Sequence, residues 1–255
     1  MRRVLAGLFA LTVAGPALAH HPGPTSVVPR SRAALALSAA EFDLGRPGSY
    51  LLGSLELEQA FFERVSVGAS IPVAHVRYRD GERATGPADV ETNLRGLLYK
   101  NEHGTYAFGA GFGVELPTGD EEEGLGGGHV MLSPELGAHF RPLDPLVLHA
   151  SIRGHFAVSP GHEHEGVLGS VIAPHAAYEM YFGTAIGWFW EPLYVMGGVE
   201  IGLLPDEPAL GPVPLHAEVG VIAADQVHVS LRFEVPVAGP ERLEWLARLA
   251  VGYLF

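Results

Sequence analysis

The 255-residue chain has no cysteine, so disulfides and thiolate metal sites are excluded. Base is scarce as well. Sixteen lysines and arginines stand against 29 acids, a formal net charge of −13, which disfavours nucleic acid as a partner. Beyond residue 19 no apolar run approaches the ~20 residues of a membrane helix, and no stretch of useful length keeps a helical period. Neither a GxSxG elbow nor an HExxH zinc motif occurs. Even the polar, frayed tail common in soluble proteins is lacking: "EWLARLAVGYLF" alternates to the last residue.

What is present is apolar character broken into short pieces. The composition is 47% hydrophobic with a mean hydropathy of +0.19, alongside 33 glycines and 20 prolines. Part of that apolarity is a leader. Arg2 and Arg3 precede "VLAGLFALTVAG", and Ala17-Leu18-Ala19 has the small-x-small form of a signal-peptidase site. We expect residues 1–19 to be a cleavable signal peptide and residues 20–32 a flexible periplasmic leader. Loss of the two arginines takes the charge from −13 to −15.

The rest alternates with period two. In "GTYAFGAGFGVEL", Tyr106, Phe108, Ala110, Phe112, Val114 and Leu116 share one face, and Ala107, Gly109, Gly111, Gly113 and Glu115 the other. "VHVSLRFEVPV" and "LVLHASIRGHFAV" repeat the arrangement. Twelve such segments are expected, at about 33–42, 48–60, 64–77, 88–100, 104–117, 129–141, 145–158, 170–190, 192–204, 213–224, 226–237 and 244–255.

Connections alternate too. "FER", "NEH", "PLD", "EP" and "DQ" are tight, whereas "RDGERATGPA", "TGDEEEGLGGG", "SPGHEHEG", "PDEPALGP" and "AGPER" are longer and polar. Short turns at one end and long loops at the other predict an all-β, antiparallel up-and-down transmembrane β-barrel of about twelve strands over residues 33–255. A secreted β-sandwich also alternates, but it explains neither the glycine-rich polar faces nor the loop asymmetry. In the barrel the apolar row of the last segment meets lipid. Its end at Tyr253 and Phe255 resembles the C-terminal signal by which bacterial barrel-assembly machinery recognises its clients.

The mature start "HHPG", the segment "GPADVETNLRGLLYK", the phrase "GFGVELPTGD" with its glycine-rich loop, and "ARLAVGYLF" together resemble the outer-membrane transporters known as phenol-degradation MetA-pathway-like proteins. The resemblance implies a secreted barrel in the cell outer membrane that moves small molecules, and it supplies no catalytic residues. Expected partners are outer-membrane lipid and lipopolysaccharide, the assembly machinery and a small solute; no cofactor and no nucleic acid are expected.

Parity assigns a polar inner face to Glu56, Glu58, Asp89, Glu91, Asn93, Arg95, Glu115, Glu135, His139, Arg141, His149, Arg153, His155, His175, Glu179, Glu200, His216, Glu218, His228, Arg232, Glu234 and Arg248. Charges of both signs are unfavourable in lipid, so they face inward. They form either a conduit whose charges set selectivity or a lumen plugged by ion pairs. Acid exceeds base among these positions, which favours cationic or neutral solutes.

Two further chemistries are weighed. His20 and His21 at the mature start, and His162 and His164 in "HEHE", are candidate Cu(II), Ni(II) or Zn(II) ligands on flexible segments at opposite ends of the barrel. Ser151 between His149 and His155 is the sole hint of nucleophilic catalysis. Alternate strand positions lie ~7 Å apart and need not converge, so enzyme activity is not expected.

Overall fold

The computed structural model describes residues 28–43, 46–158, 178–205, 209–224, 226–239 and 242–255. Fourteen strands run in chain order: β1 Arg32–Phe42, β2 Gly48–Phe61, β3 Val65–Tyr78, β4 Arg83–Pro87, β5 Val90–Lys100, β6 Tyr106–Leu116, β7 Val130–Leu143, β8 Leu146–Val158, β9 Tyr178–Trp190, β10 Leu193–Leu204, β11 Ala209–Leu210, β12 Val213–Ala223, β13 Val227–Ala238 and β14 Leu243–Leu254. Twelve are long. The short pair, β4 and β11, extend neighbouring strands. Each long strand pairs antiparallel with the next, β14 closes on β1, and the ring has no free edge. Among the described residues no helix is long and apolar enough to cross a membrane.

Closure is visible in the register. From Lys100 of β5 the paired residues run Ala107, His139, His149, Ala185, Gly198, His216, Glu234, Leu246, Ala40, Tyr50, Val76 and Ala84. One circuit thus returns to the β4–β5 path sixteen positions earlier. A stagger of this kind accompanies strands tilted by ~35–45°.

Exposure follows the alternation. Val65, Val67, Ile71 and Val73 of β3 are 41–53% exposed, whereas Ser66, Ala74 and Val76, of the opposite parity, are buried. The apolar row therefore faces outward and the small or polar row inward, the reverse of a soluble core and the arrangement hydrocarbon requires. Phe61, Tyr99, Tyr106, Trp188, Trp190 and Tyr253 lie exposed at the short-turn end, where an aromatic girdle marks the interface. Within the β2–β3 turn, Phe62 and Glu63 both have positive φ (53° and 56°), and the Arg64 amide donates to the Phe61 carbonyl. That is the primed turn a two-residue hairpin needs.

Two boundaries differ from the sequence expectation. The long loop predicted after the third segment carries β4, whose residues pair with the upper half of β3, so the turn there is only residues 79–82. The Ala88 amide bonds to the Pro72 carbonyl and bridges β4 to β5. The first strand also starts at Arg32, inside the expected leader, and Val28 and Arg30 line a cavity within the barrel mouth. The eighth segment is described from Tyr178 only; its expected first half, the signal peptide and most of the leader lie outside the described residues.

Candidate functional site

The interior is the candidate site, and the register decides what it holds. Ser66 of β3 is fully buried and pairs with Arg95; Gly68 pairs with Asn93 and Ser70 with Glu91. Gly111 pairs with Glu135, which pairs with Arg153. Continuing round, His155 pairs with Glu179, Glu200 with Gly183, and Glu218 with Arg232, which in turn pairs with Arg248. These pairs run through positions that parity assigns inward, while Arg141 pairs with Asp144 at the short turn between β7 and β8, and His175, His20, His21, His162 and His164 lie outside the described residues.

The charges pair with one another. In the half nearer the short turns, Glu58 takes Arg32 at 3.2 Å, Arg95 at 3.5 Å and the Ser66 hydroxyl at 2.6 Å. Glu56 takes Arg248 and, at 3.8 Å, Arg32. Arg232 pairs with Glu234 at 2.8 Å. Glu56, Glu58 and the four arginines surround a cavity of about 50 Å³ that Glu218, His228 and Ser230 also line. There the Tyr194 hydroxyl donates to Glu218 and meets His228 Nε2 at 2.7 Å, with the tyrosine ring stacked between Phe189 and His228.

Further up, Arg153 bonds Glu135 at 3.4 Å and lies within electrostatic reach of Glu200 and Glu91. Glu179 pairs with Arg242 and accepts the Tyr181 hydroxyl, and both partners of that ion pair are buried. The imidazoles of His139 and His149 meet edge to face with centroids 4.9 Å apart. His216 packs over Gly198, where a Cβ would come within 2.6 Å of its Nε2. That close approach is why the facing position is glycine.

The long-loop mouth is closed on one side. Leu125 of the loop 117–129 is buried in an apolar cluster with Phe42, Tyr50, Val76 and Tyr78. Asp89, at the junction of β4 and β5, accepts the Gly119 amide at 2.8 Å and the Gly127 amide. The Tyr78 hydroxyl donates to the Glu123 carbonyl. Gly126 packs so close to Asp89 that a Cβ would stand 2.6 Å from its Oδ1. The loop 117–129 is thus held down through Leu125 and Asp89, while its acids Asp120 to Glu123 stay exposed.

Sequence reasoning missed Arg30, Arg32, Lys100 and Arg242, which narrow the excess of acid. Arg32 was within reach, since it continues the inward parity of Ala34 and Ala36; Arg242 was not, because it belongs to a loop. Neither histidine engages Ser151 among the described residues: His149 packs on His139 and His155 on Tyr181, and Ser151 bonds to neither. No group of three ligating side chains is placed to hold a metal among them. A hollow of about 890 Å³ lies outside the lumen, in the lipid-facing wall, between Phe140, Leu148, Ile186, Leu215 and Phe233.

No family model and no curated relative matches the sequence. Solved structures do match. The COG4313 outer membrane channel from Pseudomonas putida F1 superposes with a TM-score of 0.66 at 10% identity, covering 93% of this chain and all of that one. The KdgM porin in complex with disordered oligogalacturonate gives 0.58 at 10% identity, covering 88% and 99%. The NanC porin gives 0.55 at 6% identity, covering 87% and 98%. Identities this low speak to architecture alone. The chain folds as a closed, all-β, porin-like barrel of twelve long antiparallel strands, the architecture of outer-membrane channels.

Proposed function

We propose that the chain is an outer-membrane channel that passes or binds small solutes through a charged lumen, exported by residues 1–19 and delivered to the assembly machinery by its Tyr253–Phe255 end. The observation that carries this is the inner wall itself. Carboxylates and guanidiniums face one another across glycine-rich positions of β6, β9 and β10, while the neighbouring outward positions are apolar but for Thr184. Paired charges of both signs bind a polar solute weakly enough to release it, as conduction demands. Its likeness to the MetA-pathway-like transporters fits the same role. The channels it superposes on support the reading by architecture, and one of them was solved with an oligogalacturonate.

Conductance of the purified chain in planar bilayers, with solute-driven swelling of liposomes, tests this. Discrete openings are the expected result. A folded barrel that stays silent in both assays, even with the loop 117–129 cut back, would leave a closed structural barrel as the better reading.

A further inference from the structure

Two arginines on the outer wall have no acid to answer them among the described residues. The outward row of β3 runs Val65, Val67, Ile71 and Val73, all apolar, and then becomes His75 and Arg77. Arg77 pairs in register with Arg83 of β4, so the two side chains leave the same face directly opposite each other. Their Cβ atoms are then roughly 5 Å apart, a separation at which like charges destabilise a strand pair unless an anion lies between them.

The neighbouring charges are engaged elsewhere. Arg46 takes Asp80 at 2.8 Å and Glu82, and Arg79 takes Glu244 at 2.9 Å. His75 Nδ1 meets the Thr85 hydroxyl at 2.6 Å. In the row of Arg77 the next residues are Ser49 and then Glu41, two strands away. Neither Arg77 nor Arg83 forms an ion pair with a described carboxylate, and both are exposed.

Depth selects the ligand. Arg77 follows Val73 by four residues, which on a tilted strand is about 9 Å along the membrane normal. That carries the guanidiniums from the hydrocarbon edge into the headgroup layer, at the end of the barrel with the long loops. Paired guanidiniums facing sideways into a headgroup layer match a phosphate monoester, which each can grip through two N–H groups.

We propose that Arg77 and Arg83 form a binding site for the phosphate of a phosphorylated glycolipid in the outer leaflet, seated between the two guanidiniums with its acyl chains along Val73 and Ile71. The proposal rests on the membrane-spanning reading above but not on conduction.

The test uses the full chain in nanodiscs of phosphatidylcholine doped with bisphosphorylated lipid A, scoring retained glycolipid by native mass spectrometry. The unsubstituted protein is expected to retain lipid A and to reject its dephosphorylated form. An Arg77→Gln/Arg83→Gln double variant is expected to retain about tenfold less. Arg77→Lys/Arg83→Lys should fall between, because a lysine offers a point charge without the fork. Arg79→Gln, which breaks only the bridge to Glu244, should bind normally. Equal retention by the Gln double variant, equal retention of dephosphorylated lipid A, or displacement by millimolar inorganic phosphate overturns the proposal. If the Gln pair fails to fold, the Lys pair and the dephosphorylated lipid decide alone. Bilayer conductance of the same preparations separates the two readings: lost retention with intact conductance supports this site, while silent preparations that still hold lipid A count against the channel only.

Discussion

Asp89 Oδ1 accepts the amide of Gly119 at 2.8 Å, tying the junction of β4 and β5 to the base of the loop that enters the barrel. Its other oxygen accepts the Gly127 amide, so one carboxylate clamps both ends of the inserted segment. Hydrogen bonds to a charged acceptor contribute about 1.5–3 kcal/mol each. Asp89→Ala should therefore raise the population of barrels with the loop withdrawn about tenfold or more, read as larger or more frequent conductance steps. Unaltered traces would mean the loop does not limit the path.

Leu125 is the apolar anchor of the same loop, 1% exposed among Phe42, Val76 and Tyr78. Leu125→Ala should lower stability in detergent by about 2–5 kcal/mol if the cluster cannot collapse onto the gap. It should also speed protease cleavage near Glu121–Glu123. Thermal unfolding and limited proteolysis check the two effects separately.

The Glu179–Arg242 pair is buried on both sides, at 1% and 6% exposure, and links the start of β9 to the end of the loop before β14. Removing one partner strands the other charge. Glu179→Gln should lower stability by about 3–5 kcal/mol, and a Glu179→Gln/Arg242→Met double variant should recover part of that loss. Additive losses in chemical denaturation would argue that the two side chains do not act together.

Ion selectivity should follow the pairing in the lower half of the lumen. Arg248→Gln leaves Arg32, at 3.8 Å, as the cation paired with Glu56, so the reversal potential in a salt gradient should move toward cations. Glu58→Gln, which removes the carboxylate that Arg32 and Arg95 share, should move it toward anions. Shifts of the same sign in both variants would contradict the assignment.

Gly198→Val places a Cβ 2.5 Å from the Thr184 carbonyl and 2.6 Å from His216 Nε2. The backbone oxygen cannot give way as a flexible side chain can. A loss of about 1–3 kcal/mol is expected, seen as a lower melting temperature, with partial relief from His216→Ala.

Much of this was readable from residue order, for a physical reason. Lipid on one side and polar space on the other force a strict alternation, so parity groups Glu135, His139, His149 and Arg153 on polar faces, and the register then pairs Glu135 with Arg153 and His139 with His149. Irregular backbone was not readable. "ERATGP" looks like a loop because it holds Gly86 and Pro87, yet it pairs with β3, since the sheet edge left above Ser70 needs a partner there. Leu125 is a lone apolar residue among glycines and acids, and no period announces that it turns inward. Arg242 reaches Glu179 across a separation of 63 residues, a contact that only the closed ring creates.

The sixteen-position climb around the ring has a genetic consequence. Deleting one residue inside any long strand cannot be absorbed locally, because every later neighbour would present its greasy side to the pore and its charges to the bilayer. Evolution and engineering alike should therefore find length changes tolerated at the rim, at positions such as 79–82, and rejected within the wall.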